Sequence, residues 1–265
     1  TMAEKIDTLL KESRVYQPTA QTKAAAYIQD YDSAYKKSIA DPEGFWSDVA
    51  KELEWFSPWT KVLEWNYPWA QWFVGATCNI TYNCLDRHVR TWRRNKVAVI
   101  WIGENDQERV ITYGELYRQV NRCANALKKL GITKGDRVTI YLPKVPEQIV
   151  AMLACARIGV IHSVVYSGFS APALANRIQD AESKLVITAD VGFDRGKVLN
   201  LKSVVDQAVT NSPTVERVVV LRRQNPGMSL SASKEIDWHE WLKDERAVCE
   251  AEHLEVPLAE AAAGI

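Results

Sequence analysis

The chain has 265 residues, with 33 basic and 33 acidic side chains and a formal net charge of zero. A chain of this length can bury roughly 70–75% of its unfolded surface. Balanced charge without long single-sign blocks argues against nucleic acid or an anionic membrane as a partner.

The longest apolar runs fall short of the roughly 20 residues that a membrane span needs. The opening TMAEKIDTLLKESRVYQP lacks the apolar core of a signal peptide. Five cysteines, at positions 78, 84, 123, 155 and 249, form no C-x-x-C pair. Reduced structural thiols in a cytoplasmic protein are the expectation.

In chain order, residues 1–19 read as a loose arm and residues 20–38 as a polar helix. Asp41-Pro42-Glu43 then opens a helix running to about Trp55, with an N-cap, a proline at the first helical position and an acid at the positive end. Residues 55–73 carry Trp55, Trp59, Trp65, Trp69 and Trp72, interrupted by Pro58 and Pro68. Stacking on bases or sugars would ask for interleaved cations, and Lys61 is the only one there. An irregular segment strapped onto the main domain by its aromatics is the simpler expectation.

Residues 82–92 read as a helix with Asn83 as cap and Leu85, Val89 and Trp92 on one face. Asp86 and His88 lie two apart on that helix and so point to different faces, which favours a packing histidine over an acid/base pair. Residues 97–102 and 109–112 form a hairpin through Glu104-Asn105-Asp106. Thr112-x-x-Glu115 is a capping box for a helix over residues 113–130, ended by Gly131.

Residues 138–197 then alternate apolar runs with helical stretches. VTIYL (138–142) is followed by a helix opened by Pro146 and Glu147. VIHSVVY (160–166) breaks at Ser167-Gly168, and a helix capped by Ser170 leads to a third run at residues 184–189. Strands buried on both faces lose their alternation, and parallel pairing needs long crossovers. The fold class is α/β: a parallel-sheet βαβ subdomain preceded by an N-terminal helical, Trp-rich wrapping segment. A helix over residues 197–209, a fourth parallel strand at 217–221, a polar loop at 224–234, a short amphipathic element at 236–242 and an alanine-rich tail follow.

Gly192-Phe-Asp-Arg-Gly-Lys197 suggests a phosphate-binding P-loop but has three residues between its glycines, and Val198 follows where a Ser or Thr would hold magnesium. A weaker reading remains, in which Arg195 and Lys197 stand at a strand end and a helix N-terminus, where anions are favoured; a solvated basic loop is its equal. The loop Tyr166-Ser167-Gly168 belongs to the same sheet edge, and the carboxyl-end loops of a parallel sheet gather into one crevice. G-x-G-x-x-G, H-E-x-x-H, G-x-S-x-G and cysteine-histidine clusters are absent from the sequence. His162, inside an apolar run, reads as a core histidine.

Several stretches together carry a resemblance: GFWSDVAKELEWFSPW (44–59), NITYNCLDRHV (79–89), the run 111–178 with its PEQIVAMLACARIG and GFS, and LVITADVGFDRGK (185–197). Over about residues 20–255 the chain resembles the N-terminal portion of the AMP-forming acyl-CoA synthetases, most closely the acetyl-CoA synthetases of the adenylate-forming superfamily. Such enzymes activate a short carboxylate with ATP and Mg2+ to an acyl-adenylate, then transfer the acyl group to coenzyme A.

The resemblance implies residues 1–92 as the helical and Trp-rich segment, 93–255 as the first α/β subdomain of the adenylation domain, and 256–265 as a tail outside the family. It implies Tyr166, Ser167 and Gly168 as backbone contacts and Arg195 and Lys197 as phosphate contacts for the coenzyme A nucleotide. Bacterial acetyl-CoA synthetases carry arginines where Asp194 and Lys197 stand, which weakens the residue assignment here. No catalytic or metal-ligating residue is assigned, because the family's phosphate loop, adenine segment and catalytic lysine have no counterpart in these residues. A polypeptide of these residues is expected to be inactive alone, to keep part of a coenzyme A site, and to self-associate through an exposed apolar edge at 230–265. The alternative is a stand-alone, non-catalytic nucleotide-binding or interaction module.

Overall fold

The computed structural model describes residues 14–104, 106–255 and 259–260. The expected turn residue Asn105, much of the N-terminal arm and most of the tail lie outside them. The chain divides into two compact units, Thr1–Glu52 and Leu53–Ile265.

In the first unit the expected helix over 20–38 is two helices, α1 (Ala20–Ala25) and α2 (Tyr31–Ala40). Asp30 restarts the helix by accepting a hydrogen bond from Ser33 N at 3.0 Å, a competing cap that the polar pattern did not reveal. Helix α3 (Pro42–Ala50) begins where Asp41-Pro42 predicts, with the Asp41 carboxylate accepting from Gly44 N, but ends before Trp55.

In the second unit the tryptophan-rich stretch is not irregular. Strands β1 (Lys61–Asn66) and β2 (Trp69–Val74) form an antiparallel hairpin with Asn66 opposite Trp69. Trp55, Trp59 and Phe73 cluster with ring centroids 5.1–5.4 Å apart, whereas Trp65 and Trp69 are 54% and 45% exposed. The segment is anchored by strand addition as well as by its rings. Strand β3 (Thr77–Cys78) pairs with Leu254–Glu255, β2 pairs with Ala259–Glu260, and Phe56 stacks on His253 at 3.9 Å.

The expected helix over 82–92 is a π-helical turn, Tyr82–Asp86, continued by one α-turn, Arg87–Val89. Asn83 does not cap it. Its amide exchanges hydrogen bonds of 2.8 and 2.9 Å with the backbone of Glu54. Leu85 is buried but Trp92 is exposed. His88 packs on Tyr113 at 5.2 Å between ring centroids, while Asp86 turns inward to Arg157, so the packing reading of His88 holds.

Strands β4 (Val97–Ile102) and β5 (Glu108–Thr112) form the expected hairpin. Thr112 Oγ1 accepts from Glu115 N at 3.2 Å and opens helix α4 (Tyr113–Lys129), whose apolar face is buried. Gly131 follows with φ +79°, the left-handed stop expected of glycine.

The main sheet contains β6 (Arg137–Tyr141), β7 (Ile161–Val164), β8 (Leu185–Ala189), β11 (Arg217–Leu221) and β12 (Glu235–Asp237), all parallel. Their spatial order is β12-β11-β8-β6-β7. All five residues of β8 are buried, as a strand covered on both faces requires. Helices α5 (Pro146–Arg157), α6 (Ala171–Asp180) and α7 (Leu201–Thr210) make the crossovers. Ser170 occupies the N-cap position of α6 without a side-chain cap bond.

Two expectations fail in detail. Strand β7 is an edge strand with Ile161 and Val164 exposed, and His162 is only half-buried. Residues 197–200 are not helical: β9 (Val191–Asp194) and β10 (Lys197–Asn200) form a hairpin before α7 begins. In the 230–265 region Trp238 and Trp241 are buried while Val248 is exposed, and residues 256–258 and 261–265 lie outside the described residues.

Candidate functional site: a crevice at the carboxyl edge of the sheet

From β6 the chain steps to β7 on one side, then crosses back to β8 on the other. The loops leaving these strands diverge at that reversal and open a crevice at their carboxyl ends. Its volume is about 450 Å³. Lys144 enters from the loop after β6, Tyr166 and Ser167 from the loop after β7, Phe193 and Asp194 from β9, and Arg223 from the loop after β11.

The loop after β7 is held from below. Tyr141, fully buried at the end of β6, donates its hydroxyl proton to the carbonyls of Ser167 (2.9 Å) and Phe169 (2.8 Å). One hydroxyl proton is thus shared between two acceptors, and both fix the loop's course. Tyr166 meets Phe169 edge-on at 5.9 Å, and Arg177 lies over Phe169 at 4.5 Å. On the floor, Gly192 leaves room: a Cβ there would lie 3.3 Å from both Leu201 Cδ1 and Pro143 Cβ.

The opposite wall depends on Asp190, which follows β8 and is fully buried. Burial alone would raise its pKa. Its carboxylate instead accepts from Val191 N (2.7 Å), Arg223 N (2.8 Å), Gln224 N (3.0 Å) and Asn225 N (2.8 Å). These four amides hold it below the ordinary carboxylate value. They also bind the loop after β11 to the end of β8, so that Arg223 stands in the crevice with its guanidinium carbon 5.0 Å from the Phe193 ring centroid.

Among the sequence-predicted residues, Tyr166 and Ser167 line this crevice and Gly168 adjoins them. Arg195 and Lys197 do not stand at a helix N-terminus. They occupy the turn of the β9–β10 hairpin, exposed, with Arg195 (φ 49°) and Gly196 (φ +74°) in the left-handed geometry that closes two-residue hairpins. Glycine, at Gly196, takes that geometry without strain, and Arg195 without a β-branch tolerates it. The misreading has a plain cause: a four-residue strand with one turn residue and one glycine has the composition of a helix-entry loop.

Sequence reasoning missed Tyr141, Asp190 and Arg223. Asp190 left a signal, since an aspartate directly after the largely apolar run Leu185–Ala189 must find several donors. The cations at this edge are Lys144 and Arg223, which line the crevice, and Arg195 and Lys197, exposed on the hairpin beside it. Glu104 and Asp194 are the carboxylates in the crevice lining. Among the described residues no group of three or more His, Cys, Asp or Glu could hold a metal ion, and no helix of the structure is long and apolar enough to cross a membrane.

Comparison with known proteins decides the family. Residues 85–258 match the model described as AMP-binding enzyme. The chain belongs to that family. Residues 31–84 match the acetyl-coenzyme A synthetase N-terminus. The chain is 43% identical to an acetyl-coenzyme A synthetase of Chlorobaculum tepidum over 91% of its own length and 37% of that protein's. It is 50% identical to one from Methanothrix thermoacetophila over 80% of its length and 32% of that protein's. Among solved structures, an acetoacetyl-CoA synthetase from Streptomyces lividans superposes with a TM-score of 0.82 at 28% identity, covering 91% of this chain and 39% of that one. The chain therefore spans about a third to two fifths of the length of these relatives, and its resemblance to the adenylate-forming fold extends over its parallel sheet.

Proposed function

We propose that this chain supplies the first sheet, and one wall of the coenzyme A site, of a cytoplasmic AMP-forming acetate–CoA ligase. The observation that carries the proposal is the crevice at the carboxyl ends of β6, β7, β8 and β11, in a chain 43–50% identical to acetyl-coenzyme A synthetases. In such a ligase a short carboxylate attacks the α-phosphorus of ATP, pyrophosphate leaves, and the thiol of coenzyme A then displaces AMP from the acyl-adenylate.

This chain's share is binding and orientation. Tyr141 holds the loop Tyr166–Gly168 in one course, which gives the nucleotide a fixed backbone surface beside the exposed Tyr166 ring. Gly168 keeps that surface low. Arg195 and Lys197 on the hairpin offer positive charge to the phosphates, with Asp194 opposite Lys197 in the register. Among the described residues no group of three or more His, Cys, Asp or Glu is gathered to hold the magnesium that accompanies ATP.

Calorimetric titration of the chain with coenzyme A at two salt concentrations tests this reading, with ATP titrated separately. Binding of coenzyme A that weakens with salt, and weakens again in an Arg195→Ala, Lys197→Ala variant, supports it. Absence of coenzyme A binding overturns it.

A second reading, an interaction module, rests on Trp65 and Trp69, which are exposed on the β1–β2 hairpin together with Tyr67. Quenching of their fluorescence by acrylamide that is relieved by a partner protein, but not by coenzyme A, favours it.

A further inference from the structure

Two cations line the crevice, the exposed Lys144 and the half-buried Arg223, and only Arg223 has lost much of its hydration. Its surroundings are unusual for a structural arginine. Arg157, which is fully buried, is by contrast paired at both terminal nitrogens with a carboxylate. Arg223 is in ion-pair contact with no carboxylate among the described residues. Its one hydrogen bond from the guanidinium is a long one, 3.4 Å from Nη1 to the Val191 carbonyl. Both oxygens of the nearby Asp190 are already occupied by backbone amides, and Glu147 is taken by Arg109 at 2.6 Å. Burial holds the guanidinium below its ordinary pKa, with Glu147 and Asp190 acting against that from a distance. The group stays charged all the same.

A half-buried guanidinium that faces a crevice has lost hydration and gained no carboxylate partner in exchange. Such a group has most to gain from an oxyanion, and its planar fork matches a phosphate at two oxygens. The backing by Phe193 keeps one face of the fork covered.

We propose that Arg223 is the phosphate-binding residue of this crevice and that Asp190 is its positioning residue. Asp190 does so through the backbone, because three of its four acceptor bonds come from the amides of residues 223, 224 and 225. This fixes where Arg223 leaves the main chain, and no contact between the two side chains is needed. The inference rests on the coenzyme A reading of the same crevice. Within that reading it places the principal phosphate contact on the loop after β11, with the hairpin turn in a secondary role.

The test is titration of the chain, and of Arg223→Ala, Arg223→Lys, Asp190→Asn and the Asp190→Asn, Arg223→Ala double variant, with coenzyme A across a salt series. Arg223→Ala should weaken binding about tenfold or more, the loss of one charge-assisted contact. It should also flatten the salt dependence, because one fewer cation is screened. Arg223→Lys should restore the slope but only part of the affinity, since a point charge replaces a fork.

Asp190→Asn should weaken binding, and the double variant should be no weaker than Arg223→Ala alone, because one residue acts through the other. Wild-type binding of coenzyme A with an unchanged Arg223→Ala affinity overturns this inference and leaves the crevice reading standing. Lost affinity with an unchanged salt slope also overturns it, as that is the signature of a structural defect. Additive losses in the double variant remove Asp190 from its role. If the wild-type chain binds no coenzyme A, the crevice reading and this inference fall together.

Discussion

In an Asp86→Ala variant the guanidinium of Arg157 would stay buried without its carboxylate. Arg157 is 1% exposed. It donates from Nη1 and Nη2 to the two Asp86 oxygens at 2.7 and 2.9 Å, from Nε to the Cys249 carbonyl at 2.7 Å, and weakly from Nη1 to Thr81 Oγ1 at 3.3 Å. Asn79 braces the same region, donating to the carbonyls of Ala156, Arg157 and Glu252. The pair therefore ties the turn at 82–89 and the stretch 249–252 to the end of α5.

Truncating Asp86 leaves the Cys249 carbonyl, the Thr81 hydroxyl and the Tyr117 ring, 5.4 Å from the guanidinium carbon, as the only compensation. Two charge-assisted bonds at about 1.5–3 kcal/mol each agree with the about 3–5 kcal/mol seen when one partner of a buried pair is removed. With a urea slope of about 2–3 kcal/mol/M, the unfolding midpoint should fall by about 1–2.5 M. Asp86→Asn keeps an acceptor and should lose less. An Asp86→Leu, Arg157→Met double variant buries no charge and should stand above Asp86→Ala. A midpoint within about 0.3 M of wild type for Asp86→Ala, or a double variant less stable than the single, would refute the reasoning.

Three further outcomes are expected. Asp190 and Glu235 have carboxyls whose pKa values burial would raise but hydrogen bonds hold down, to four amides in the first case and to Lys202 and Ser231 N in the second. The stability they contribute is complete above the unfolded carboxylate range, about pH 4, and is lost as pH falls through the depressed native values. Calorimetric midpoints should drop steeply in that acid window and less steeply in Asp190→Asn, and parallel curves for the two proteins would contradict this. Native thiol labelling should reach the exposed Cys84 first and spare the buried Cys123 and Cys155 until urea unfolds the chain, burial having pushed the Cys155 pKa up to about 12. Early labelling at Cys155 would count against the core as described. Concentration-dependent association, followed by sedimentation velocity, should weaken in Ile161→Lys, because an unpaired apolar edge strand templates further strands; association unaltered by that charge would place the contact elsewhere.

The sequence by itself determined the features that depend on neighbours along the chain. Asp41-Pro42, Thr112-x-x-Glu115 and Gly131 set helix ends through contacts within four residues, and they stand where expected. Apolar runs of five residues with long crossovers specified the parallel sheet, since only strands covered on both faces lose alternation. Quoted segments spread over residues 44–197 carried the family.

Tertiary structure decided whatever depends on partners far away in sequence. Residues 197–200 are a strand because residues 191–194 lie beside them, and this moved Arg195 and Lys197 from a helix start to a hairpin turn. The tryptophan stretch is a hairpin pinned, with the strand after it, by residues 254–255 and 259–260, nearly two hundred positions later. Asp86 turned away from His88 because Arg157, 71 residues on, needed a carboxylate. Arg223 joined the crevice because Asp190 gathers the amides of a loop 33 to 35 residues further on. Local propensity cannot register such pairings: a buried charge or unpaired amide has no preferred neighbour until the chain has folded around it, and then it has only one acceptable place.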